Sequence, residues 1–262
     1  MENLLNEIYS KYEIFLLIFA RITGLFIMSP IFSKRNIPVH IKIGFSFFTS
    51  CIVLGYESAV DCIVINDFMH LAYFTIKELL IGFTMGYVTT LMFSAILTAG
   101  QIMDTQIGFG IVNVIDPQNN IQIPLLGNFN NILALIIFFI IDGHHTLIEL
   151  LIQSFDAIPL GKVLITPETS MQILNMFIKS FALSFKLALP IVGATLLTDV
   201  ALGVMVRIIP QMNVFVLGIP VKILVGLIGL FLFIPTYISF LNGAFSDMFS
   251  DMQTLLRGMT PK

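Results

Sequence analysis

Apolar residues in this chain run in long blocks, and polar clusters cut those blocks into about six segments, each read as a helix. The first, from about Tyr12 to Ser33, is broken at its end by Pro30 and Pro38, which cannot donate the backbone bonds a helix interior needs. A second spans about Ile41 to Tyr56, and a connection bearing Glu57, Asp61 and Asp67 leads to a third, about Phe68 to Met103. Its stretch Leu79 to Met103 holds no charged side chain, and at 1.5 Å per residue the charge-free part alone exceeds the ~30 Å hydrocarbon core of a bilayer. A fourth covers about Leu125 to Ile141 and can extend to Phe155. The stretch "DAIPLGKVLITPET", residues 156 to 169, has two prolines and mixed charge and reads as a boundary. Segments from about Ile173 to Ile209 and Val214 to Phe249 follow, joined by a turn around "IPQMNVF". The expected fold is an all-α membrane protein: four helices in residues 1–160, then a two-helix hairpin in 168–262.

Composition fixes the solvent this pattern is made for. Of 262 residues, 57% are hydrophobic and only 11% charged, with 25 phenylalanines, and mean hydropathy is +0.96; soluble domains carry about 25% charged residues. Formal net charge is −3, and no basic run extends beyond Lys34-Arg35, so a nucleic-acid partner is not expected. Cys51 and Cys62 are too few for a zinc site and read as packing residues. The acidic amino terminus lacks a small-residue cleavage pattern and reads as uncleaved. Lys34, Arg35, Lys42, Arg207 and Lys222 crowd one set of connections and Glu57, Asp61, Asp67, Asp156 and Glu168 the other. Because cytoplasmic connections favour Lys and Arg, the connection after the third helix is expected on the cytoplasmic side and both termini on the other.

Two signals lie within the helices. Gly82, Gly86, Thr90, Ser94 and Thr98 recur every fourth residue, as do Thr195, Asp199, Gly203 and Arg207. Small residues in such rows let another helix approach closely, so both rows read as packing surfaces, within the chain or between chains. Charges interrupt apolar segments at Arg21, Glu78, Asp142, Lys186, Asp199 and Arg207. A charge at a bilayer centre costs at least roughly 2.5 kcal/mol, so each is expected to face a partner helix, a wet cavity or a level outside the hydrocarbon. Arg21, Glu78, Lys186 and Arg207 are the expected buried charges.

Candidate chemistry is sparse. "DGHHTLIEL", residues 142–150, sets His144 and His145 beside an acid, but adjacent helical histidines point about 100° apart. It reads as a polar helix end without a metal. No Ser/His/Asp set, phosphate loop or dinucleotide fingerprint is present, so neither catalysis nor a cofactor is expected. The unusual segment is "DTQIGFGIVNVIDPQNN", residues 104–120, which mixes acids, glycines and a proline with a run of apolar residues. A solvent linker would not need them.

Five blocks, "RITGLFIMSPIFSKRNIPVHIKIG" (21–44), "KELLIGFTMGY" (77–87), "AGQIMDTQIGFGIVNVIDP" (99–117), "IDGHHTLI" with "SFDAIPLG" (141–161) and "ALPIVGATLLTDVALGVMVRIIPQMNVFVLGIPVKI" (188–223), occur in this order. Together they closely resemble the FliR family, the flagellar branch of the export-gate subunits whose injectisome counterpart is SctT. The resemblance covers roughly residues 12 to 235, and its last block, with Asp199, Gly203, Arg207, Pro210, Asn213 and Pro220, is the most specific. It implies a fusion of the folds of two partners, FliP and FliQ, matching the four-plus-two division. It also implies assembly with several copies of both, and with FlhB and FlhA, in a cone-shaped gate of the flagellar basal body in the bacterial inner membrane. Unfolded proteins would be exported through that gate, and much of it would stand above the lipid plane. The same resemblance makes 104–120 part of the channel plug, carried on Asp104, Gln106, Gly108, Phe109, Gly110, Ile111, Val112, Val114, Asp116 and Pro117. Phe109, Ile111, Val112, Val114 and Ile115 suit closing a pore against water, while packing against partner subunits is the plainer role. A secondary transporter with a polar midplane site is the alternative, although the chain lacks two matching halves.

Overall fold

The structure is a computed structural model that describes residues 2–32, 38–56, 67–109, 124–164, 166–211 and 213–260. The described residues form an all-α protein with helices α1 (Glu2–Met28), α2 (Val39–Tyr56), α3 (Phe68–Ile107), α4 (Leu125–Ile140), α5 (Gly143–Ala157), α6 (Pro167–Ile208) and α7 (Val214–Gly258).

Helix boundaries depart from the apolar pattern for local reasons. Helix α1 starts within the polar "ENLLNEIYS" and stops at Met28, just before Pro30. The fourth segment is two helices because Asp142 takes a left-handed conformation (φ 55°), which ends α4 and restarts the chain as α5. Helix α6 starts six residues earlier than its apolar pattern. There Thr166 is the N-cap, its Oγ1 accepting the Thr169 N–H at 3.2 Å, and Pro167 fills the first helical position, where its missing N–H costs nothing. Pro190 in α6 and Pro220 and Pro235 in α7 lie inside continuous helices of 42 and 45 residues.

Chain contacts define two compact units. The first comprises Met1–Leu91, Asp142–Met176 and Ser246–Lys262. Leu17, Ile18, Ile22 and Leu25 of α1, Ile81 and Met85 of α3, Leu147 and Leu151 of α5, and Met252 and Leu255 of α7 are buried in it. Helix α2 is held to α1 largely by phenylalanines, with Phe26–Phe45 and Phe15–Phe47 meeting edge to face at 5.1 and 5.3 Å. The second unit comprises Met92–Ile141 and Phe177–Phe245. Phe93, Phe138 and Phe245 form an aromatic triangle in its core, beside buried Ile96, Met103, Ile191 and Leu241.

Helices α3, α6 and α7 are long and apolar enough to cross a membrane, and the α4–α5 pair would make a fourth span if taken as one. At 1.5 Å per residue α6 and α7 are about 63 and 68 Å long, roughly twice the hydrocarbon thickness. The most apolar window is 61% buried in α3 but 17% in α6 and 11% in α7. Helices α6 and α7 therefore present apolar faces that their own chain leaves uncovered.

Candidate functional site

Two polar constructions stand out, one in each unit. In the first unit, the backbones of α1 and α3 approach so closely that a methyl group at Gly82 would overlap the Arg21 carbonyl oxygen. One at Gly86 would lie 2.6 Å from Met28 Cβ, and Thr90 Oγ1 donates to the Met28 carbonyl at 2.7 Å. The row Gly82, Gly86, Thr90 is thus the seam that receives α1, while Ser94 is exposed. That seam puts Arg21 opposite Glu78, both with fully buried side chains, Nε to Oε2 at 2.6 Å. The guanidinium also donates to the Ser154 carbonyl (2.7 Å) and hydroxyl (3.2 Å) and to the Ile158 carbonyl (2.9 Å). Its Cζ lies 4.2 Å from the centre of the Phe155 ring. The second Glu78 oxygen accepts the Gly161 N–H at 2.8 Å. Both charges are fully engaged, the condition under which a buried pair is tolerated.

In the second unit, α3 continues one turn past the expected end at Met103, so Asp104, Gln106 and Ile107 are helical. Gly108, with φ 102°, ends the helix in the left-handed region, and the Phe109 N–H returns to the Asp104 carbonyl at 3.1 Å, the long bond of a Schellman ending. The buried Asp104 side chain turns to α4, accepting the Leu126 N–H at 2.9 Å and the Gly127 N–H at 3.2 Å. Proline at 124 begins the first turn of α4 without a side-chain cap of its own. A carboxylate from α3 therefore satisfies donors a helix N-terminus leaves open, and its charge suits the positive end of the helix dipole. Gly100 and Gly127 lie backbone to backbone beneath it, leaving no room for a methyl group at Gly100. Asp104 thus fastens both ends of the connection: its carbonyl holds the exit of α3 and its carboxylate the entry of α4. Gly110, Ile111, Val112, Val114, Asp116 and Pro117 lie outside the described residues.

Other sequence expectations fare unevenly. Lys186 and Arg207 are exposed, not buried, because α6 buries a narrow stripe through Ser184, Ala188, Ile191, Thr195 and Leu202 and both charges lie beside it. Asp199 has its partner on another helix, as expected: Lys222 of α7 at 2.9 Å, a partly exposed pair. Nothing lies within 4 Å of a methyl group built at Gly203. Cys51 is exposed instead of packed; Cys62, Lys34, Arg35, Glu57 and Asp61 lie outside the described residues. Sequence reasoning missed Ser154, Phe155, Ile158 and Gly161, which contribute mainly backbone groups to the Arg21 network, and Leu126 and Gly127 at the Asp104 clamp. A helix start without a capping side chain, "QIPLLG", was the available signal for the clamp.

Residues 12–248 match the family model described as bacterial export proteins, family 1. The chain belongs to the FliR family of bacterial export proteins. Similar relatives are named flagellar biosynthetic protein FliR. That of Bacillus subtilis (strain 168) is 33% identical over 96% of this chain and 98% of its own length. The relative of Aquifex aeolicus (strain VF5) is 31% identical over 89% of this chain and 90% of its own. That of Escherichia coli (strain K12) is 28% identical over 88% and 87%. Both the Arg21 network and the Asp104 clamp fall inside the span matched to this family of bacterial export proteins.

Proposed function

We propose that this chain is a core subunit of the flagellar type III protein export gate in the bacterial inner membrane, with the 104–120 connection as part of the channel plug. It assembles with copies of FliP and FliQ, and with FlhB and FlhA, at the flagellar basal body, forming a conduit for unfolded proteins. Residues 1–160 take the FliP-like part and residues 168–262 the FliQ-like hairpin. Family membership supports the class, and two features agree with the finer reading. Helices α6 and α7 exceed a bilayer in length and leave their apolar faces uncovered, as helices that meet other subunits beyond the lipid would. Their exposed Leu197, Val200, Val204, Leu224 and Phe231 are apolar surface for such contacts.

The observation that carries the plug reading is the clamp. A connection that must close a pore needs both its ends fixed, and Asp104 fastens them through two backbone groups of α4 and the Schellman ending of α3. Between them the sequence supplies Phe109, Ile111, Val112, Val114 and Ile115, side chains that exclude water and ions, with glycines at 108 and 110. Passage through the gate needs no chemistry on the polypeptide. Affinity purification of the tagged chain from solubilised membranes, followed by native mass measurement, is expected to recover one copy with several copies of two small membrane partners. Deleting Gly108 to Val114 should then let membranes containing the assembled gate leak small ions. A lone chain or homodimer, with the partners demonstrably expressed, would overturn the gate; unchanged permeability of the assembled gate would overturn the plug.

A further inference from the structure

We propose that Asp142, His144 and His145 form a binding site for a borderline divalent transition ion such as zinc. Sequence spacing alone argued against a metal, since neighbouring histidines on a helix diverge. The backbone changes that argument. Asp142 has the only positive φ of any non-glycine residue among those described, and a conformation rarely adopted by such residues is a place to look for function. It stands at the N-cap position of α5, where an aspartate normally accepts helix N–H bonds, yet its side chain makes no capping bond. Its Oδ1 lies instead 3.3 Å from His145 Nδ1. The His144 and His145 ring centres are 4.0 Å apart with their planes tilted by 36°, and one ligand atom from each of the three residues falls within a 4.8 Å cluster.

An ion whose nitrogen and oxygen ligands lie about 2.0–2.2 Å from it separates neighbouring ligand atoms by roughly 3.3 Å in tetrahedral geometry, the distance the Asp142–His145 pair already has, and His144 needs only a side-chain adjustment to complete the set. Two imidazoles and one carboxylate select zinc, copper or nickel over calcium and magnesium, which prefer oxygen donors. His145 and Asp142 are both more than two-thirds exposed, so the ion has an open path. The fourth position is left for water or a ligand from another molecule.

The test uses the full chain, purified in detergent with a tag that contains no histidine, and zinc sulfate in equilibrium dialysis against a competing chelator. One zinc ion per chain is expected, with cobalt(II) giving a tetrahedral visible spectrum. Asp142→Gly removes a ligand while giving the left-handed position the residue that tolerates it best, so its melting temperature should not fall. Even outer-shell partners change metal affinity by about 10- to 100-fold, so Asp142→Gly and the exposed His145→Ala should each weaken zinc binding at least about tenfold. Absence of saturable zinc binding, or binding unchanged in either variant, would overturn the three-ligand site and leave an aspartate–histidine contact at a helix start.

Discussion

Glu78→Gln should destabilise the first unit by about 3 kcal/mol, at the lower end of the cost of breaking a buried ion pair. The glutamine oxygen can still accept the Gly161 N–H, but its amide N–H groups would face the Nε–H of Arg21, donor against donor. The guanidinium, fully buried, then has no countercharge. It keeps its bonds to Ser154 and Ile158, which is why the loss stays near the lower bound. Arg21→Met should cost more, about 5 kcal/mol, because a buried carboxylate remains with only one N–H donor and the Ile158 carbonyl loses the guanidinium, whereas the Ser154 carbonyl still accepts the Ile158 N–H. The double variant, Arg21→Met with Glu78→Gln, removes both charges and should fall short of the sum by at least about 2 kcal/mol. Unfolding in mixed micelles, followed by helical circular dichroism as the denaturing detergent fraction rises, gives all four corners of the cycle. If Glu78→Gln lay within about 1 kcal/mol of the parent, the pair would behave as a hydrated surface bridge, and the sealed network described for Arg21 would be refuted.

The two small-residue rows should part company: Gly82→Ala is expected to destabilise the isolated chain by about 2 kcal/mol, since backbone cannot yield to the new methyl group. Gly203→Ala, in open space, should be neutral or gain up to about 1 kcal/mol of helix propensity; equal effects in the same micelle assay would contradict the seam between α1 and α3. Asp104→Ala should uncap α4 at a cost of about 1–2 kcal/mol. Hydrogen exchange at the Leu126 and Gly127 amides should speed up accordingly, whereas unchanged exchange there would show that the clamp does not hold in solution.

What sequence could foresee, and what it could not, divides along physical lines. The body of α3 was legible because a long charge-free run admits few other readings. The α4–α5 break was not, because Asp142 adopts a conformation for which aspartate gives only a weak signal. That Arg21 and Glu78 needed partners followed from burial cost alone. Which partners they take did not, because Arg21 binds main-chain oxygens of Ser154 and Ile158 that any residue would supply. Spacing of four revealed the packing row on α3 without telling a seam within the chain from one between chains. Asp104 was singled out as a loop residue, yet its side chain serves a helix start 22 residues later. The clamp joins parts of the chain that no local pattern connects.

The Arg21 network also has a schedule. Its members are separated by 57, 133 and 137 residues along the chain. At a synthesis rate of about 5–20 residues per second, Arg21 is synthesised roughly 7 to 27 s before Ser154 and Ile158. Glu78 arrives sooner, roughly 3 to 11 s after Arg21, and can neutralise the charge but cannot occupy the remaining donors. During that interval the guanidinium must be sheltered by water, lipid headgroups or an insertion factor. The half-made chain is then most exposed to mishandling, and synthesis that stalls between residues 78 and 154 would leave a protein with its charge paired and its socket missing.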